Sequence, residues 1–273
     1  MRHILAGKNL NLIFMRQVVL QAIYSHFLVT DHIVDNRAFY SNKGIMNLAP
    51  LYLYKTDKTN GMLFEDSFAT ENRKHNLSPQ FINDFAARLK MQFIPDGKGD
   101  IKKTFGPEDI FSYMYAVFHS PTYRSRYAEF LKMDFPRLPL TSHTELFRKL
   151  CALGDELVSF HLMEKQGKKI TSYPAAGDSA VETVRYTEPQ CEVRGRVWIN
   201  ATQYFDGVPK EVWEFHVGGY QVCAKWLKDR KRRKLTYDDL THYQQIVSAL
   251  AETIKLMEDI DATITASGGW PIA

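Results

Sequence analysis

The sequence is poor in the features that most catalytic and metal sites need. It has three cysteines, Cys151, Cys191 and Cys223, odd in number and far apart. They form neither a metal spacing nor a disulfide framework, and are expected to be reduced thiols in a protein core. The two Gly-Gly pairs, Gly218-Gly219 and Gly268-Gly269, sit in no GxxxxGK[ST] or GxGxxG frame, so a nucleotide site of a common kind is not expected. HExxH and the GxSxG elbow are missing too. The nine histidines are scattered. His119, His143, His161 and His216 lie near predicted helices, as structural or exposed residues. Charges interrupt every apolar run, so no segment reaches the roughly 20 apolar residues of a membrane span. The start, MRHILAGKNLNLIFMRQ, lacks the apolar stretch and small-residue cleavage site of a signal peptide. A cytoplasmic chain with no membrane partner is expected.

What is present is a globular composition and one unusual charge cluster. With 273 residues, 45% of them hydrophobic, the chain can bury one large core or two smaller ones. Lys225 to Lys234 holds seven bases and one acid, or +6. The remaining 28 bases and 30 acids sum to −2, so the whole net charge of +4 derives from ten residues. A concentrated positive patch on a near-neutral body favours a polyanionic partner. A solvated loop before a helix is the plainer reading.

The pattern is α+β. Residues 9 to 54 look β-rich, with branched and aromatic residues in short runs, and PLYLY meets a turn cluster at KTDKTNG. From Ser78 the pattern turns helical. Ser78-Pro79 and Ser120-Pro121 each fit an N-cap followed by proline at the first helical position. Pro107 opens another helix. The helix after Pro121 is expected to carry Tyr123, Tyr127 and Phe130 on one face. Ser142 to Glu145 and Thr236 to Asp239 resemble capping boxes. They open two long helices, about 142–164 and 236–264, whose apolar residues recur with a period near 3.5, as in a packed helix pair. Between them, VETVRY and RVWINATQYF look like strands. The expected organisation is a β-rich and helical part over 1–140. A helix, a mixed β segment and a long C-terminal helix over 141–273 pack on it as one unit.

One fragment invites a nuclease reading. Pro95 to Lys102, PDGKGDIK, contains a PD and a D-x-K. Such sites hold two acids on neighbouring strands around one Mg²⁺. Here Asp96 and Asp100 lie four residues apart in a glycine-rich stretch, so a surface loop is expected instead. No catalytic residue and no metal ligand is assigned.

Several segments together resemble a known family. NLNLIFMRQ, SHFLVTDHIVDNR and APLYLY resemble the start of the C-terminal target-recognition region of Type ISP restriction–modification enzymes. FGPEDIFSYMYAVFHSPTYRSRYAEFLKMDFPRLPL and VWINATQYFDGVPKEVWEFHVGGYQVCAKWLKDRKRRKLTYDDLTHYQQIVSAL are longer and more specific matches. The resemblance covers nearly the whole chain. Enzymes of that family join a nuclease, an ATP-driven translocase and an N6-adenine methyltransferase to this region. The resemblance implies that the chain recognises double-stranded DNA on behalf of those domains and performs no catalysis itself. S-adenosylmethionine, ATP and Mg would belong to the other domains, whose motifs are not in this sequence.

On that reading, polar residues at strand ends and in the following loops are base-reading candidates: Arg16, Gln17, Arg37, Asn42 and Lys43. Arginine suits guanine and glutamine suits adenine, each through two hydrogen bonds. Lys168, Lys169, Lys228, Arg230, Lys231, Arg232 and Arg233 are phosphate-contact candidates. Tyr220, Val222 and Trp226 are expected to pack the helix that precedes the cations. An alternative of another class is a protein-interaction module that uses the helix pair and the basic loop.

Overall fold

The computed structural model describes residues 2–18, 24–40, 44–55, 72–191 and 194–272. It is an α+β fold that divides into two units, one of residues 1–158 and 257–273, the other of 159–256.

The first unit opens with a short helix, α1 (Arg2–Leu5), and strands β1 (Asn11–Met15), β2 (Phe27–Thr30) and β3 (Met46–Pro50). These form an antiparallel sheet ordered β2-β1-β3, with Ile13 opposite both Leu28 and Leu48. The β-rich start is therefore as the composition predicted. Strands β4 (Tyr52–Tyr54) and β5 (Arg73–His75) pair next, followed by α2 (Pro79–Leu89). Ser78 Oγ accepts from the Phe81 N–H at 3.2 Å, the expected cap. The short parallel pair β6 (Gln92–Phe93) and β7 (Thr104–Phe105) leads into α3 (Pro107–His119), α4 (Pro121–Arg126), α5 (Ala128–Met133) and α6 (Thr144–His161).

Two local expectations are corrected here. The pattern after Pro121 is two short helices broken at Tyr127, so Tyr123 is buried while Phe130 stays 68% exposed. The cap of α6 is His143, not Ser142: the Leu146 N–H donates to His143 Nδ1 at 3.1 Å.

An aromatic cluster fills the core beneath these helices. Phe147 of α6 meets Phe85, Phe105 and Tyr113, with ring centroids 5.3–5.9 Å apart. Helices α3 and α6 approach so closely at Gly154 that a Cβ there would lie 1.8 Å from the Ser112 carbonyl oxygen. Gly154→Ala should therefore destabilise the protein by about 2–3 kcal/mol in urea unfolding, because the obstacle is backbone. Alanine's helix preference over glycine, about 1 kcal/mol, acts the other way. A variant as stable as the wild type would show that the helices can part for no more than the roughly 1 kcal/mol that alanine's helix preference returns.

The second unit contains β8 (Arg185–Thr187), β9 (Arg196–Trp198) and β10 (Tyr204–Asp206), an antiparallel sheet ordered β10-β9-β8. RVWINATQYF is thus a hairpin and not one strand. Asn200 turns the chain: its Oδ1 accepts from the N–H groups of Thr202 and Gln203, at 3.0 and 2.7 Å. Helix α7 (Lys210–Trp213), the hairpin of β11 (His216–Val217) and β12 (Tyr220–Gln221), and α8 (Val222–Lys228) follow. Gly218 and Gly219, at φ +59° and +84°, make the two-residue turn that this hairpin requires.

Helix α9 (Tyr237–Ala266) runs from the second unit into the first in sequence. Its predicted capping box is present: Asp239 N–H donates to Thr236 Oγ1 at 3.1 Å and Thr236 N–H to Asp239 Oδ2 at 3.0 Å. Each of the two seams lies mostly in one unit. Leu146 and Leu150 are buried in the first. Tyr243, Val247 and Leu250 pack with Val197, Phe205 and Leu227 in the second.

The cysteines split. Cys151 and Cys223 are buried, and burial pushes both thiols above their ordinary range. Cys191 is exposed in the linker between β8 and β9, which corrects its assignment to the core.

Candidate nucleic-acid interface

The basic segment is a fixed ledge. Helix α8 buries Cys223, Ala224 and Leu227 in the second unit's core. Val222 and Trp226, partly buried, pack against that core as expected. The chain then runs from Asp229 to Thr236 as the loop before α9. The backbone of residues 179–181 pins it. Arg232 N–H donates to Val181 O at 2.8 Å, Val181 N–H to Arg233 O at 2.9 Å, and Leu235 N–H to Ser179 O at 2.9 Å. Arg232 takes φ +68°, unusual for a residue with a side chain, so the loop's path is dictated by those bonds.

The seven cations divide into two groups. Lys225 pairs with Asp229, and Lys234 lies 3.5 Å from Asp178. Arg230 sits 3.5 Å above the Trp226 ring, donates to the Trp226 carbonyl at 3.1 Å and reaches Asp239 at 3.5 Å. Lys228, Lys231, Arg232 and Arg233 are exposed and have no carboxylate partner among the described residues. Four uncompensated cations therefore stand on a backbone that cannot easily move.

Lys168 and Lys169 are also exposed in the second unit. Lys169 lines a groove of about 510 Å³ with Tyr237, Gln244 and Gln245 of α9. Tyr237, 81% exposed, follows the basic loop directly, so the groove and the loop adjoin through it.

The base-reading candidates that are described fall in the first unit. Arg16 and Gln17 follow β1 and are exposed. Arg16 Nε lies 3.6 Å from Asp134 Oδ1, with its guanidinium 5.2 Å from the Phe135 ring centre. Arg37 is exposed in the loop after β2, where its backbone N–H donates to Asp35 Oδ1 at 2.8 Å. Asn42 and Lys43 lie outside the described residues.

The acids of the nuclease-like fragment are engaged in structural contacts, Asp100 within the loop and Asp96 with β5. Asp100 Oδ1 accepts from the N–H groups of Lys102, Lys103 and Thr104 at 2.8–2.9 Å, which holds its carboxyl well below the usual range. Asp96 pairs with Arg73 at 2.7 Å. No cluster of metal-ligating side chains occurs among the described residues.

Sequence reading missed a further set. On β8–β10, Arg185 lies 4.4 Å from the Trp198 ring centre, Trp198 4.6 Å from Tyr204, and Arg196 4.4 Å from Tyr204. The Asn200 turn was the available signal, because it sets Trp198 opposite Tyr204.

Residues 1–259 match the model of one family, the Type ISP C-terminal specificity domain. The chain belongs to that family. The match spans both units, so this specificity domain is itself bipartite. Three solved structures share the fold at 18% identity. Over 95% of the chain, the structure of the ATP-dependent Type ISP restriction-modification enzyme LlaBIII bound to DNA aligns with a TM-score of 0.61, using 16% of that chain. The DrdV–DNA complex aligns over 93% with a TM-score of 0.65, using 25%. A nuclease-deletion mutant of the Type ISP restriction-modification enzyme LlaGI, in complex with a DNA substrate mimic, aligns over 95% at 0.55, using 21%. The specificity domain described here thus spans a sixth to a quarter of the chains it resembles. No curated protein matches it.

Proposed function

We propose that this specificity domain recognises a sequence in double-stranded DNA for a restriction–modification enzyme whose adenine methyltransferase, translocase and nuclease parts do the chemistry. The observation that carries this reading is the backbone-pinned ledge with four uncompensated cations, Lys228, Lys231, Arg232 and Arg233. Family membership supports it, as do three similar structures solved with DNA or a DNA mimic. Exposed cations on a fixed backbone suit phosphates: they add affinity and set register without selecting sequence. Lys168 and Lys169 extend this role, whereas Arg230 is engaged by Trp226 and Asp239 and acts first as a brace. Arg16, Gln17 and Arg37 are base-reading residues in this proposal.

The test is fluorescence-anisotropy binding of the full chain to a random-sequence duplex across a salt series. Binding that weakens steeply with salt is expected. Binding insensitive to salt, or none at the lowest salt, would overturn the proposal and favour an interaction module whose basic loop meets an acidic protein.

A further inference from the structure

Side chains alternate across the three-stranded sheet of the second unit. Val197 and Phe205 are fully buried in the core. Their strand neighbours point to the other face, where Arg185 stands opposite Trp198 and Trp198 opposite Tyr204. The next row pairs Thr187 with Arg196 and Arg196 with Asp206. The result is a stack of four, Arg185–Trp198–Tyr204–Arg196, on the outer face.

The stack is braced unevenly. Trp198 Nε1 donates to Thr187 Oγ1 at 2.9 Å, which fixes the indole. Arg196 Nε donates to Asp206 Oδ1 at 2.8 Å. Arg185 is exposed, and no hydrogen bond or ion pair engages its guanidinium among the described residues. A guanidinium already settled over an indole has lost part of its freedom before a ligand arrives. Its planar fork matches a ligand with two adjacent acceptors.

The sheet also adjoins the basic ledge. Residues 179–181, which pin the ledge, continue into Glu182 and Thr183, whose N–H groups both donate to Ile199 O. Ile199 directly follows Trp198, so the Arg185–Trp198–Tyr204 row is the row of the sheet nearest the ledge. Phosphate contacts on the ledge would bring this row toward a groove, and the major groove is wide enough to admit β structure.

Resting on the DNA-recognition reading above, we propose that Arg185 is a specificity-determining residue that donates two hydrogen bonds to O6 and N7 of a guanine in duplex DNA, with Trp198 as its positioning residue. Phosphate is the rival acceptor for the same fork. The flanking ledge already offers four cations to phosphates, and a fixed arginine plane adds most at a base edge.

The experiment uses the full chain and a pool of duplexes randomised across the binding site. The wild type should enrich a motif containing a required G·C pair. Arg185→Lys keeps the charge and loses the fork. It should lose the preference at that pair by roughly 5- to 150-fold while binding other duplexes nearly as before. Trp198→Ala should weaken the same preference, and Trp198→Phe should restore much of it. Enrichment of an unchanged motif by Arg185→Lys, with all affinities lowered alike, would assign Arg185 to phosphate and overturn the proposal. Failure of the wild type to enrich any motif would instead remove the DNA-recognition reading, and this proposal with it.

Discussion

Replacing Lys228, Lys231, Arg232 and Arg233 together by glutamine should flatten the salt dependence of DNA binding and leave the protein folded. Each phosphate neutralised contributes about 0.9 to the slope of log affinity against log salt. Four lost contacts should therefore reduce the slope by about 3.6. Between 50 and 200 mM salt, the wild type should then lose roughly 100-fold more affinity than the variant. Folding should survive because these side chains are exposed, and the loop is held by backbone bonds to residues 179–181. Parallel salt titrations of the two proteins, with unchanged thermal unfolding, would show that the ledge does not meet phosphates. Arg230→Ala should behave differently: it removes a contact with the Trp226 ring and a bond to the Trp226 carbonyl, so it should lower stability as well.

Acid should destabilise the first unit through His26. This histidine is fully buried, and its ring lies against Tyr24 and Phe39 with centroids 5.2 Å away in each case. Among the described residues, neither ring nitrogen makes a hydrogen bond of normal geometry. Burial, reinforced by the Arg124 charge and opposed by the Tyr40 backbone, lowers its pKa from 6.5 to about 4. The folded state therefore binds fewer protons than the unfolded chain between pH 6.5 and 4. Stability is unaffected above that window and falls as pH drops through it, by about 3 kcal/mol at pH 4. His26→Phe removes the titration and keeps an aromatic ring in the site. Urea unfolding of both proteins from pH 7 to pH 4 should show the wild type losing about 3 kcal/mol more than the variant. Equal losses would mean that His26 takes up its proton as readily in the folded protein as in the unfolded chain.

Local signals in the sequence predicted local structure well. Ser78-Pro79, Ser120-Pro121 and the Thr236–Asp239 box all cap helices as their chemistry requires, because a cap involves residues three apart. The basic segment is likewise the loop between two helices that its composition suggested. Cross-strand register was not legible. RVWINATQYF has the branched and aromatic content of one strand, and only the Asn200 side chain, bonding to Thr202 and Gln203, folds it into two. The Arg185–Trp198–Tyr204–Arg196 stack depends on that turn and on pairing with β8, whose Arg185 lies thirteen residues before its partner Trp198, so no periodicity announced it. The seam in α9 had the right spacing for a helix partner, yet much of it packs on a sheet and a short helix. An apolar stripe states which face is buried and not what buries it. The groups that pin the ledge, the Ser179 and Val181 carbonyls and the Val181 N–H, lie some fifty residues before it in sequence and hold the backbone beneath the cations.

Competition between DNAs measures the central claim most directly. The full chain, bound to a duplex carrying its selected motif, would be challenged at constant salt with a random-sequence duplex of the same length. Sequence recognition predicts that the random duplex displaces the selected one only at an excess on the order of 1,000-fold or more. Displacement at equal concentration would mean that the ledge binds DNA as a polyanion and that the domain reads no sequence.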